Sequence, residues 1–172
     1  MDQFVEDELK LLNDSALNLV DVNSLAAIIL EPIQGEGGFN VIPQKYLEGL
    51  RAFCDKHGVM LIFDEVQSGF GRTGNWASWQ NFGVVPDIST YAKSMGSGMP
   101  IAAVLGKADV MDSAAIGSIG GTYIGSPLCC VAASATIQYM KDINLNERAV
   151  KIGNVIETRL KNLMKQHPEI GD

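Results

Sequence analysis

The chain has 172 residues, 47% of them hydrophobic, which is enough for one sizeable core and leaves little length for a second full domain. A formal charge of -7 provides no extended basic surface and argues against nucleic-acid binding. The longest apolar runs, Leu25 to Leu30 and Val59 to Phe63, fall far short of the roughly 18 residues a membrane span requires, so they read as buried strands.

In chain order, Gln3 to Leu12 carries apolar residues at helical spacing and predicts a short amphipathic helix, broken at Asn13-Asp14-Ser15. The acidic start, Met1 to Glu8, lacks the basic character of a signal or transit peptide. Leu25 to Leu30 predicts a strand with the loop Glu31-Pro32-Ile33-Gln34-Gly35-Glu36-Gly37-Gly38 at its carboxyl end. A helix opens at Pro43 and stops at His57-Gly58, with proline at the start and glycine past the end. Val59 to Phe63 follows as a second strand, and strand, helix, strand is the crossover unit of a parallel sheet. Further strands are expected at Pro86 to Tyr91 and Ile101 to Leu105. Ser126-Pro127 marks a helix start, with serine as N-cap and the helix running to about Ile143. A last helix carries Val150, Ile152, Val155, Ile156, Leu160 and Leu163 on an apolar stripe, and the whole is expected to form one compact unit.

Cys54 stands alone and Cys129 and Cys130 are adjacent, so neither a disulfide framework nor a C-x-x-C motif is present; a reducing cytoplasm fits best. His57 and His167 are distant from each other and from cysteine, are expected at solvated positions, and argue against a metal site.

Ligands of open parallel sheets bind outside the carboxyl ends of the strands, where the conspicuous residues collect. Asp64 closes an apolar strand, a costly place for an ionised carboxylate unless a cation meets it. Lys93 precedes the turn Ser94-Met95-Gly96-Ser97-Gly98-Met99-Pro100, and a lysine amine can condense with an aldehyde. Together they suggest a carbonyl-cofactor site, the acid protonating the ring of the group the lysine holds. A loop-capping acid and a surface lysine are the plainer alternatives. Glu31 and Glu36 could tune a substrate or anchor an arginine, or simply belong to a solvated loop. Thr122 follows Gly120-Gly121 and could hold a phosphate, although G-G-T alone discriminates poorly.

Four blocks in order, Glu31 to Gly38, Asp64-Glu65-Val66-Gln67-Ser68-Gly69-Phe70-Gly71-Arg72-Thr73-Gly74, Pro86-Asp87 through Lys93, and Gly120-Gly121-Thr122-Tyr123 through Pro127, resemble the class III aminotransferases. The resemblance covers nearly the whole chain, and Gly120 to Leu128 is most similar to 4-aminobutyrate aminotransferases within that family. It implies an α/β fold, the central part of the fold type I large domain, with a mostly parallel sheet and flanking helices. It also implies pyridoxal 5'-phosphate as cofactor, with Lys93 as the Schiff-base lysine and the base that moves the proton. Asp64 would pair with the pyridine nitrogen, Val66 would pack on a ring face and Gln67 would bond the phenolic oxygen. Thr122 would reach the cofactor phosphate of a partner subunit, implying a homodimer. Glu36 resembles the acid that pairs a switch arginine, and Glu31 would support it from behind.

Family members are longer. Residues 1 to 172 are therefore expected to be a partial cofactor-binding large domain, without the upstream phosphate-loop segment and the downstream small domain that carries the switch arginine, and in isolation to bind the cofactor weakly or not at all and to be inactive. The implied reaction moves an amino group from an ω-amino acid, 4-aminobutyrate foremost, to 2-oxoglutarate. Alternative readings are ornithine, acetylornithine or lysine as donor, an amino-acid racemase, or a non-catalytic fragment of such an enzyme.

Overall fold

The computed structural model describes residues 2–19 and 21–170, so of the acidic start named above only Met1 lies outside the described residues. Four strands form one sheet in the order β1 (Ala27–Leu30), β2 (Met60–Asp64), β3 (Ile88–Tyr91), β4 (Ala103–Gly106). The first three are mutually parallel, and β4 runs antiparallel to β3. Helices α1 (Asp2–Leu19), α2 (Gln44–His57), α3 (Ala108–Met111), α4 (Pro127–Asp142) and α5 (Leu145–Met164) complete the fold. The parallel β1-α2-β2 crossover and the mostly parallel sheet agree with the sequence pattern.

The core forms where α2 meets β2. Leu47, Leu50, Phe53 and Cys54 lie on one helical stripe and are buried against Leu61 and Phe63. Alternation along β2 turns Leu61 and Phe63 to this face, and burying Phe63 completely contributes about 2–3 kcal/mol. Ile28 and Leu30 stand beside them in register and join the same cluster. Gly58, at φ 67°, ends α2 in the left-handed conformation that glycine adopts without a Cβ penalty, its N–H bonding Cys54 O.

Several sequence expectations shift. The break at Asn13-Asp14-Ser15 does not occur: α1 continues to Leu19, Asn13 Nδ2 donates back to Leu9 O at 2.7 Å, and Leu12 packs on the core. Turn-forming side chains satisfied within a packed helix do not stop it. The first strand begins at Ala27 rather than Leu25, because Asp21 caps a 3-10 turn over Val22–Ser24 and Leu25 N donates to Val22 O. Strand β4 begins at Ala103, two residues later than expected. Ser126 occupies the N-cap of α4 ahead of Pro127, yet its hydroxyl makes no capping bond. His57 is half-buried rather than solvated, its ring 4.6 Å from that of Phe53.

The largest departure is α5. Residues 150–170 are all exposed, including the stripe of Val150, Ile152, Val155, Ile156, Leu160 and Leu163. The start of the helix touches the glycine loop, where a Cβ at Gly74 would lie 2.6 Å from Val150 Cγ2. The stripe beyond it is left uncovered, so the expectation of one compact unit fails for this helix among the described residues.

At the amino-terminal end of β3, Asp87 gathers three partners. Its carboxylate accepts from Arg51 Nη1 at 2.8 Å, Lys107 Nζ at 2.6 Å and Leu61 N at 2.7 Å. One buried acid thus ties α2, β2 and the segment after β4 together.

Candidate active site

The site collects at the carboxyl ends of β1, β2 and β3. Asp64 and Thr90 are register partners, on the sheet face opposite Phe63. Asp64 Oδ1 accepts Val66 N at 2.9 Å, the loop-capping role that the plainer reading assigned it. Oδ2 has no hydrogen bond among the described residues, so the cap leaves half of the carboxylate for another partner. Beside it, Thr90 Oγ1 is buried and has no hydrogen-bond partner in the structure. The half-engaged acid thus lies beside an orphaned buried hydroxyl.

Lys93 opens a 3-10 turn, Lys93–Met95, directly after β3. Its φ is 42°, a region that lysine rarely occupies and that costs of order 1–3 kcal/mol. The turn is pinned from both sides. Met95 is buried with Tyr91, Ala77 and Ala133, and a Cβ at Gly96 would come within 2.7 Å of Ile101 Cγ2. The Lys93 side chain is exposed and its Nζ donates to Gln67 Oε1.

Gln67 is itself crowded into place. A Cβ at Gly35 would lie 2.7 Å from Gln67 Cγ, so only glycine allows the loop after β1 to lie there. Glu31 holds that glycine, its Oε2 accepting Gly35 N at 2.8 Å. Four of the residues singled out from sequence, Asp64, Val66, Gln67 and Lys93, thus form one linked group, and Glu31 reaches it through Gly35.

Two are not drawn in. Glu36 is exposed on the same loop, and no hydrogen bond joins it to the group among the described residues. Thr122 is exposed in the glycine-rich turn before α4, in a cavity of about 390 Å³ shared with Pro100, Ile101, Tyr123 and Cys129, and it has no bond to Asp64, Gln67 or Lys93. A larger cleft, about 640 Å³, lies between the glycine loop, the turn after Lys93 and helices α4 and α5. Arg72, Ser94, Tyr139 and Arg148 line it, but none of Asp64, Gln67 and Lys93 does.

Glu65 received no role from sequence although it adjoins Asp64. It is 1% exposed and accepts four hydrogen bonds, from Ser68 Oγ and Ser78 N on Oε2 and from Ser78 Oγ and Trp79 N on Oε1, at 2.8–2.9 Å. Its acidic type inside the block was the available signal, but the donors lie up to 14 residues away.

The family comparison follows this geometry. The Aminotransferase class-III family matches residues 3–172. The chain belongs to this family. This class III aminotransferase chain is 48% identical over 148 residues to the 5-aminovalerate aminotransferase DavT of Pseudomonas aeruginosa, covering 86% of the chain and 35% of that protein. It is equally 48% identical over 148 residues to the 4-aminobutyrate aminotransferase GabT of Escherichia coli, with the same coverage. Among solved structures it is similar to the taurine:2-oxoglutarate aminotransferase of Bifidobacterium kashiwanohense in complex with PLP and glutamate. That match has a TM-score of 0.89 and 32% identity, over 96% of this chain and 38% of that one. The class III chain therefore spans little more than a third of the length of these relatives, and its mostly parallel α/β fold matches the corresponding part of the solved neighbour. No helix among the described residues is long and apolar enough to cross a membrane.

Proposed function

We propose that the protein is a pyridoxal-phosphate-dependent aminotransferase that takes an amino group from an ω-amino acid, 4-aminobutyrate foremost, and delivers it to 2-oxoglutarate. The observation that carries this reading is the Lys93 amine on Gln67, in the turn that follows the strand next to the one that ends in the half-engaged Asp64. Names of relatives that act on 4-aminobutyrate and 5-aminovalerate support the donor class.

The residues present fit the cofactor's ring end and its aldehyde end: a free carboxylate oxygen, an orphaned hydroxyl, an amide and a lysine amine. Pyridoxal phosphate, when bound, supplies an aldehyde for the amine and a ring that draws electrons from the bond to be broken. Lys93 would attach it and, once displaced by substrate, carry a proton to and from the carbon that bears the substrate amine. Asp64 would hold the proton on the ring nitrogen, while Thr90 offers a hydroxyl beside it. Val66 would pack on a ring face, and Gln67 would exchange the Lys93 amine for the phenolic oxygen. Glu31 keeps Gly35, and with it Gln67, in place. Glu36 would neutralise a switch arginine, so that one pocket serves both an ω-amino substrate and a 2-oxo acid. Thr122 would act on the phosphate in a partner subunit, as part of a cytoplasmic homodimer. Residues 1 to 172 would then be the central part of the large domain, with the phosphate loop and the arginine-bearing domain contributed from outside them.

Loading the protein with pyridoxal phosphate, reducing with borohydride and mapping the label by mass spectrometry tests the assignment. The label is expected on Lys93. A label confined to other lysines overturns it.

A further inference from the structure

Glu65 is the one fully buried acid among the described residues whose neighbours carry the proposed chemistry. Its carboxylate sits under the segment 65–79 and fastens both ends of it, Ser68 from the near side and Ser78 and Trp79 from the far side. The backbone reinforces the clamp: Glu65 N donates to Thr90 O at 2.9 Å, and Gly69 N donates to Glu65 O at 2.9 Å. Gly69 leaves no slack, since a Cβ there would lie 2.8 Å from Glu65 O and 2.9 Å from Tyr91 Cδ1. Gln67 stands inside this clamped turn, between Glu65 and Ser68, and its amide oxygen is what meets the Lys93 amine.

We propose that Glu65 is a positioning residue: by fastening the turn that carries Gln67, its carboxylate fixes the amide oxygen that restrains the Lys93 amine. Its action on Lys93 runs entirely through Gln67. The functional meaning rests on the proposed role of Lys93, but the linkage itself concerns only side chains of this chain. All four bonds are donated to Glu65, two per oxygen, so an amide cannot replace it. In Glu65→Gln one of the two oxygens becomes an NH2 group facing N–H or O–H donors, and the turn must shift to relieve the conflict.

Reductive methylation with formaldehyde and cyanoborohydride, followed by mass spectrometry, reads the availability of each lysine without any cofactor. Gln67→Ala is expected to raise the methylation rate of Lys93 about fivefold, the rate equivalent of one hydrogen bond. Glu65→Gln is expected to raise it similarly, with Lys107 and Lys161 unchanged as internal references. The double variant is expected to go no further than Gln67→Ala alone. Multiplying effects in the double variant, an unchanged Lys93 in Glu65→Gln, or a rise at all lysines together would overturn the proposal. If Glu65→Gln does not fold, Ser78→Ala removes one donor only. It is expected to give about a twofold rise at Lys93 that disappears when Gln67 is alanine, and a rise that persists there counts against the proposal. A pyridoxal phosphate label confined to lysines other than Lys93 would defeat the proposed function and leave this linkage standing.

Discussion

In the full-length protein, Lys93→Ala is expected to lower amino transfer by about 10⁴-fold, the upper end of what a positioned base contributes, which is the role proposed for Lys93. The fold should be unaffected. Lys93 is exposed and its side chain has a single hydrogen bond, to Gln67, so truncation leaves no cavity and no buried polar atom stranded without water. Lys93→Gly makes the contrast sharper. At φ 42° the lysine backbone is strained, and glycine relieves that strain, so the glycine variant is expected to be more stable than the parent by about 1 kcal/mol while equally inactive. Steady-state transamination beside denaturant unfolding of the three proteins checks both halves. A glycine variant that is destabilised would mean that the Lys93 turn is not held by Met95 and Gly96 as described, and an alanine variant with near-parental turnover would remove Lys93 from the chemistry.

How far a residue's partners lie along the chain decides what was readable in it and what was not. Asp64 could be found because it closes a short apolar run and Lys93 because it precedes a glycine-rich turn just after a short strand, and strand ends are where a parallel sheet presents its ligands. The strands themselves were legible from the same runs, and α2 from its stripe and its terminal glycine. Strand starts were less so: Leu25 has the composition of a strand but is held in the preceding turn by Val22 O. Helix α1 passes through three turn-forming residues because Asn13 satisfies itself on Leu9 O and Leu12 reaches the core. Glu65 and Asp87 were opaque for a different reason. A buried acid is defined by its donors, and these lie 3, 13 and 14 residues away for Glu65 and 20, 26 and 36 residues away for Asp87. No local pattern announces such partners. Thr90 was legible only as a strand residue until register set it beside Asp64.

Asp87→Ala is expected to cost about 3–5 kcal/mol at neutral pH, the usual penalty for removing one partner of a buried ion pair. The loss falls on groups that cannot all turn to water. Arg51, with 18% of its side chain exposed, would lose the acceptor of Nη1 while Asp55 keeps Nη2, and Leu61 N, in the core strand, would lose its side-chain acceptor. Lys107 is half-exposed and recovers hydration easily, but Lys107→Met strands Oδ1 of the buried Asp87 without its donor, so it should cost about 1–3 kcal/mol. Acid provides an independent reading. Burial pushes the Asp87 carboxyl up, but the bonds from Lys107, Leu61 N and Arg51 outweigh it and hold the group at about 2, below its ordinary 3.8. Because the folded value is the lower one, the charged form stabilises the fold: the contribution is fully present above about pH 4 and is lost as pH falls through 2. The difference between the two values corresponds to about 2 kcal/mol, which Asp87→Asn should forfeit at pH 7. Urea unfolding of the parent and of Asp87→Asn at pH 7, 4 and 2 should therefore show a gap that is constant between 7 and 4 and narrows by pH 2. A gap that stays the same at every pH would mean that packing, rather than charge, is what Asp87 supplies. A cluster at the amino-terminal end of β3 that weakens only in strong acid leaves the Asp64 and Lys93 end to be altered without disturbing the sheet that carries it.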